Sequence, residues 1–251
     1  MKTWAIGDIH GCYKELNLLV QKCIKNGLIP EKDTVVFLGD YIDRGPDSKK
    51  VVAQLVKWKK KYPHWKFLYG NHEDIFLDFV VRNGALYGIS NWFGNGGKIT
   101  YESYGGHMGK MINGEFEAPK PPDFPKEHLD FLFKELDYTY ENDDYFFVHG
   151  GVIPEASLEE SKKHWKTLIW ARDGFINSKY DWGKKIIFGH SCDNKGKYYN
   201  PKNPWGKKQH FMPIVKHNKI GIDTAVCPPS SKRLTAIKLP DEKFFFIESI
   251  K

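Results

Sequence analysis

The sequence predicts an α/β protein made of two mixed β-sheets packed face to face with helices outside. Two observations predict this. Over the first ~80 residues, short apolar runs alternate with longer segments of helical periodicity, and that alternation implies a parallel sheet with right-handed crossovers. After Ile186 the strands follow one another closely with no helix between them, so the chain moves from βα units to mainly β. A length of 251 residues with 41% hydrophobic and 27% charged residues suits one large globular core rather than a disordered chain.

Thr3 to Ile6 reads as the first strand. Tyr13 to Lys25 follows as a helix, with Leu16, Leu19, Val20, Cys23 and Ile24 at helical spacing. Thr34-Val35-Val36-Phe37-Leu38 is β-branched and apolar, a buried strand. Ser48 is placed as the N-cap of a helix running to about Tyr62, whose apolar side is Val51, Val52, Leu55, Val56 and Trp58. Trp65 to Tyr69 is a third strand and Glu73 to Arg82 a third helix. Asn83 to Pro125 is rich in Gly, Tyr, Asn and Pro, and with a helix at Lys126 to Leu136 it reads as an insertion over residues 83–136 lying across the strand ends. Within it, Gly94 to Thr100 fails the P-loop pattern and is expected to be a flexible Gly-rich turn. Tyr138 to Tyr140 and Tyr145 to Val148 read as strands joined by a turn at Asn142-Asp143-Asp144. Strands at Ile186–Phe188, Lys219–Asp223, Leu234–Leu239 and Lys243–Ile247 complete a single domain over residues 1–251.

The formal charge of +7 comes mostly from Lys, and the densest run, Lys57 to Lys61, sits on a helix, so a solvated basic surface is expected. No aromatic-plus-Arg signature of a nucleic-acid module is present, so nucleic acid is not an expected partner. Asp8 comes too early for a secretory signal, and no apolar run reaches the length of a membrane span. Cys12, Cys23, Cys192 and Cys227 are widely spaced and are expected to be reduced thiols. A cytoplasmic monomer is the expectation.

The chemistry is concentrated in glycine-bracketed segments: Gly7-Asp8-Ile9-His10-Gly11, Gly39-Asp40-Tyr41-Ile42-Asp43-Arg44-Gly45, Gly70-Asn71-His72-Glu73, His149-Gly150-Gly151 and Gly189-His190. Each follows a short apolar run, as a loop at the carboxyl end of a strand does. Asp, His and Asn delivered from several strand ends to one place make a two-metal site, and such sites hydrolyse phosphate esters. Asp8 and His10, two apart in an extended loop, face the same side. Asp40 is the candidate to bridge two ions. Asn71 supplies a neutral oxygen, and His149 and His190 complete the second site. Such donors accept Mn, Fe or Zn.

These segments carry the patterns GDxHG, GDxxDRG and GNHE, and together they resemble the calcineurin-like metallophosphoesterases and, within them, the phosphoprotein phosphatase family. Ile187 to His190, Gly221 to Thr224 and Ile169 to Arg172 are similar to the compact bacterial and phage members. The resemblance implies α-β-β-α layers and two divalent ions, most commonly Mn. It implies that Asp8, His10 and Asp40 hold one ion, and Asp40, Asn71, His149 and His190 the other. It makes His72 the general acid, oriented by Asp43, and Arg44 and Arg172 ligands of phosphate oxygen, with Asn71 also near the substrate. The expected reaction is direct attack by a metal-bridging hydroxide on a phosphomonoester, with serine/threonine phosphoproteins as the leading substrate class and small phosphoesters as another. Dinucleoside polyphosphate or broader phosphodiester hydrolysis is the rival, since the same site serves both. A catalytically silent phosphate-binding scaffold is a third reading, opposed by the completeness of the site. Ala225, Gly150-Gly151 and Ser191-Cys192 depart from the small enzymes without touching an expected ligand.

Overall fold

The structure, a computed structural model, describes residues 1–112, 115–193, 196–197, 210–227 and 232–250. Two five-stranded sheets form its centre. The first runs in the order β12 (Lys243–Glu248), β11 (Arg233–Leu239), β1 (Thr3–Ile6), β2 (Thr34–Phe37), β3 (Lys66–Phe67). Strands β1, β2 and β3 are parallel, while β11 runs antiparallel to both β1 and β12. The second runs β6 (Thr139–Glu141), β7 (Tyr145–Val148), β8 (Lys185–Phe188), β10 (Lys219–Gly221), β9 (Ile214–Val215). Its three central strands are parallel and its two edges antiparallel.

Alternation along the strands sorts the side chains into layers. Ala5, Val36 and Ile237 of the first sheet meet Phe147, Ile187 and Ile220 of the second. Their neighbours Trp4, Ile6, Val35 and Phe37 face the opposite way, onto α1 (Tyr13–Lys25) and α2 (Ser48–Lys61). Phe146, Val148, Ile186 and Phe188 turn outward from the second sheet to cover α8 (Trp165–Trp170) and α9 (Asp173–Asn177). The sandwich with helices on both outer faces is the architecture expected from the sequence.

Several local expectations need correction. Ser48 is not an N-cap: Asp47 occupies that position, and the Ser48 hydroxyl turns away toward Asp43 and Thr100. The third strand shrinks to Lys66–Phe67, because Leu68 pairs with Asp137 instead and α3 (Asn71–Val81) begins two residues earlier than expected. The short helices α7 (Leu158–Lys162), α8 and α9 were not expected at all. In the insertion, Gly94 to Thr100 is no loose turn. It joins α4 (Ile89–Trp92) to α5 (Lys98–Ser103) through a helical kink at Gly96. Trp92 anchors this segment by packing on Phe76 and Phe79 of α3, with ring centroids 5.2 and 4.3 Å apart. A hairpin of β4 (Lys110–Ile112) and β5 (Glu115–Glu117) follows, then α6 (Lys126–Lys134). Among the described residues, no helix is long and apolar enough to cross a membrane.

Candidate metal centre

Each of the six expected ligands, and His72 with them, leaves the carboxyl end of a parallel strand. Asp8 and His10 follow β1, Asp40 follows β2, and Asn71 and His72 form the first turn of α3 after β3. His149 follows β7 and His190 follows β8. Because neighbouring strands are parallel, these ends lie along one edge of each sheet, where α/β proteins bind ligands. All seven side chains are buried.

Two compact groupings result among the described residues. Donor atoms of His10, Asp40 and His72 lie within 4.8 Å of one another, and so do those of Asp40, His149 and His190. Asp40 belongs to both, as a bridging carboxylate would. Asn71 joins the second through its Oδ1, 3.0 Å from His149 Nε2. Asp8 lies in neither grouping. Its carboxylate accepts the backbone N–H of His190 at 3.0 and 3.1 Å, and His72 stands beside His10 and Asp40 instead.

The donor set fits a cation. His149 Nδ1–H donates to the Leu38 carbonyl at 2.7 Å, which leaves Nε2 as a lone pair. Burial holds this imidazole below its ordinary pKa, so it stays neutral. That lone pair faces Asn71 Oδ1 at 3.0 Å and Asp40 Oδ1 at 3.3 Å. Three acceptors converge with no proton between them, an arrangement that a positive ion resolves. His190 Nε2 is buried and finds no hydrogen-bond partner, and burial keeps this ring neutral as well. His10 donates Nδ1–H to the Ile42 carbonyl at 2.9 Å and likewise turns Nε2 inward. Neutral imidazoles, carboxylates and an amide suit divalent Mn, Fe or Zn.

The carboxylates show the same demand. Burial, then repulsion from Asp223 and Asp40, raises Asp8 well above the usual range. Burial raises Asp223 too.

Backbone strain marks the same place. His10, Asp40, Asp43, Arg44 and His190 have φ of 46°, 52°, 70°, 68° and 59°. Left-handed non-glycine residues cost about 1–3 kcal/mol each and collect at functional sites. Gly39, at φ +103°, allows the tight approach of the loops, since a Cβ there would come within 2.9 Å of both Gly70 Cα and His149 Nδ1.

His72 and Asp43 form a buried pair, with His72 Nδ1 donating to Asp43 Oδ2 at 2.7 Å. Arg44 spans the mouth, its Nη1 2.8 Å from His10 Nε2 and its Nη2 2.9 Å from His72 Nε2. Burial works against its charge, but Asp40, Asp223 and Asp8 more than offset that, so the guanidinium stays protonated. Arg172 sits apart at the exposed rim, its Nη1 reaching the His190 carbonyl at 3.4 Å. Cys12 is buried, and its contact with Cys227, then burial, drive its thiol pKa upward, so it packs rather than reacts.

Residues 1–222 match the model of the calcineurin-like phosphoesterases. The chain belongs to that family. A bis(5'-nucleosyl)-tetraphosphatase PrpE [asymmetrical] of Oceanobacillus iheyensis is 30% identical over 99% of this chain and 93% of its own length. Serine/threonine-protein phosphatase 1 of Salmonella typhimurium is 36% identical over 75% of this chain and 78% of its own. The fold is shared with a protein serine/threonine phosphatase from Saccharomyces cerevisiae at a TM-score of 0.56 and 18% identity, covering 100% of this chain and 81% of that one.

Four further residues of this calcineurin-like site carry roles that the sequence alone does not assign. Asp223 follows β10 and faces Asp8 and Asp40, and its position after the apolar Ile220 to Ile222 was the available signal. Glu73 carries the backbone of the Asp40 loop. Trp92 and Thr100 hydrogen-bond Asp43 from the insertion, and nothing in their local sequence announces it. His107, His210 and His217 belong to neither donor grouping.

Proposed function

We propose that this chain is a two-metal phosphomonoesterase whose leading substrate class is phosphoserine and phosphothreonine in proteins. Asp8, His10 and Asp40 would hold one ion, and Asp40, Asn71, His149 and His190 the other, most commonly Mn. Bound there, divalent ions supply Lewis acidity toward phosphoryl oxygen and lower the pKa of attacking water. Arg44 and Arg172 bind phosphate oxygens through planar, permanently charged forks. The whole chain acts as one unit with the insertion bordering the site, a reading supported by the 3.2 Å hydrogen bond from Arg44 N–H to the Gly96 carbonyl.

The observation that carries the substrate class is the His72–Asp43 pair. A serine or threonine alkoxide is a poor leaving group and needs a proton as the P–O bond breaks. Once protonated, His72 Nε2, which accepts an Arg44 N–H in this structure, would give that proton, while Asp43 retains Nδ1–H and the ring orientation. A nucleotide leaving from a polyphosphate is already a good leaving group and gains little from such an acid.

Dinucleoside polyphosphate hydrolysis is the second reading. It is favoured by the likeness, along nearly the whole chain, to the Oceanobacillus iheyensis tetraphosphatase. Initial rates of chelator-stripped, manganese-reloaded protein on a phosphoserine peptide and on a dinucleoside tetraphosphate separate the two. Faster turnover of the peptide supports the first reading. Far faster turnover of the nucleotide replaces it with the second.

A further inference from the structure

Asp43 is held by more than its own loop. Its Oδ2 takes the His72 Nδ1–H, but both hydrogen bonds to Oδ1 come from the insertion: Trp92 Nε1–H at 3.1 Å and the Thr100 hydroxyl at 2.8 Å. Hydrogen counting closes this network. Thr100 has one proton, given to Asp43 Oδ1, and two lone pairs. Those accept the Asp43 backbone N–H at 2.8 Å and the Ser48 hydroxyl at 2.9 Å. Ser48 Oγ in turn takes a weaker share of the Asp43 N–H at 3.2 Å. Asp43, Ser48, Trp92 and Thr100 are all fully buried, so every bond is made in a low-dielectric interior where its geometry is tightly specified.

The glycines of the insertion fit the same purpose. Gly96, at φ +99°, lies where a Cβ would come 2.8 Å from the Arg44 backbone N, and its carbonyl accepts that N–H. Gly97 lies under the Trp92 indole, where a Cβ would overlap the ring. The Gly-rich kink therefore lets the insertion seat an indole N–H and a hydroxyl against the carboxylate while bracing two consecutive left-handed residues, Asp43 and Arg44.

We propose that Trp92 and Thr100 are positioning residues for His72: acting through Asp43, the insertion sets the orientation of the imidazole that protonates the leaving group. The inference rests on the reading of His72 as general acid. Trp92 and Thr100 hydrogen-bond Asp43 and belong to neither donor grouping; they fix a carboxylate that fixes a ring. Losing either lets Asp43 rotate about its side-chain torsions and swings His72 Nε2 off the line to the departing oxygen. Placement errors of this kind weaken proton transfer while leaving phosphate binding intact.

The test uses the full chain loaded with manganese and two aryl phosphates, 4-nitrophenyl phosphate with a good leaving group and phenyl phosphate with a poorer one. Thr100→Val removes the hydroxyl at constant shape and Trp92→Phe removes the indole N–H. The expected result is a fall in kcat on phenyl phosphate of about 10- to 30-fold, with less than about 3-fold on the nitrophenyl ester and KM unchanged, a fraction of the full effect of an acid. Thr100→Ser keeps the hydroxyl and should restore the wild-type ratio. In metal-free protein, the His72 Nδ1–H proton should be protected from exchange in wild type and lost from the NMR spectrum in Thr100→Val. Equal loss on both esters, or no loss on either, overturns the inference. His72→Asn is run in parallel to separate the two layers. Selective loss in His72→Asn but not in Thr100→Val or Trp92→Phe refutes the positioning role alone. Absence of selectivity in His72→Asn refutes the acid, and the positioning role with it.

Discussion

Glu73 grips Asp40 through the backbone: its Oε2 accepts the Asp40 N–H and its Oε1 the Tyr41 N–H, both at 2.9 Å. A third N–H, from Gly70, reaches Oε2 at 3.1 Å. One carboxylate at the start of α3 thus ties the loop after β2 to the loop after β3. It holds Asp40 at φ 52°, the conformation that presents its side chain to both donor groupings.

Glu73→Gln keeps the shape but turns an NH2 group toward backbone N–H donors. Leaving buried donors unpaired costs about 1–3 kcal/mol. In a chain of this size that is roughly a 2–12 °C fall in thermal midpoint. Manganese affinity should fall about 10- to 100-fold, as when an outer-shell partner of a metal ligand is lost. Thermal melts of the metal-free variant and titration calorimetry with manganese check both. An unchanged midpoint with unchanged affinity would remove Glu73 from this role.

Asp40 is common to both donor groupings, so its loss should affect both ions together. In wild type, manganese at about a hundred times its Kd adds about 2.7 kcal/mol to stability. The melting temperature then rises by several degrees. Asp40→Asn should abolish that rise and bring bound manganese close to zero. His149→Ala, touching one grouping, should leave about one ion per chain by elemental analysis. Retention of both ions in Asp40→Asn would contradict a shared carboxylate.

Much of this was legible in the sequence because the information is local. Asp8, His10, Asp40, Asn71, His149 and His190 each sit beside glycine after an apolar strand, and parallel strands bring such ends together without further instruction. The inner and outer faces of β1 and β2 follow directly from alternation in Thr3–Ile6 and Thr34–Phe37. What escaped is held by distant contacts. Trp92 and Thr100 meet Asp43 across 49 and 57 residues. Ser48 looked like a cap because capping is the local use of a serine before a helix, whereas its hydroxyl joins that distant network. Helices α8 and α9 are only six and five residues long, too short to show a period. They stand because Leu168, Phe175 and Ile176 pack on the outer face of the second sheet.

Away from the site, Lys219 gives the fold a pH signature. Its side chain is fully buried, with Nζ donating to the Ser178 carbonyl at 2.7 Å and lying 5.1 and 4.9 Å from the ring centroids of Phe175 and Trp182. Burial, then repulsion from Lys216, lowers its pKa from 10.5 to about 8. Below that value the lysine is charged in both folded and unfolded chains, and the cost of burying the charge is fully present. As pH rises from about 8 to 10.5 the folded chain releases its proton first, so this residue's contribution to stability increases. The gain approaches about 3 kcal/mol over that window. Lys219→Met should lack it. Urea denaturation of both proteins at intervals from neutral pH upward checks this, and a constant difference in stability between them would refute it.

The central claim is a two-ion centre organised on Asp40, and a crystal of manganese-reloaded protein measured for anomalous scattering tests it most directly. Two peaks about 3.5–4 Å apart are predicted, one on either side of the Asp40 carboxylate, with His149 and His190 against one and His10 against the other. A single peak, or two that do not share Asp40, would contradict the account.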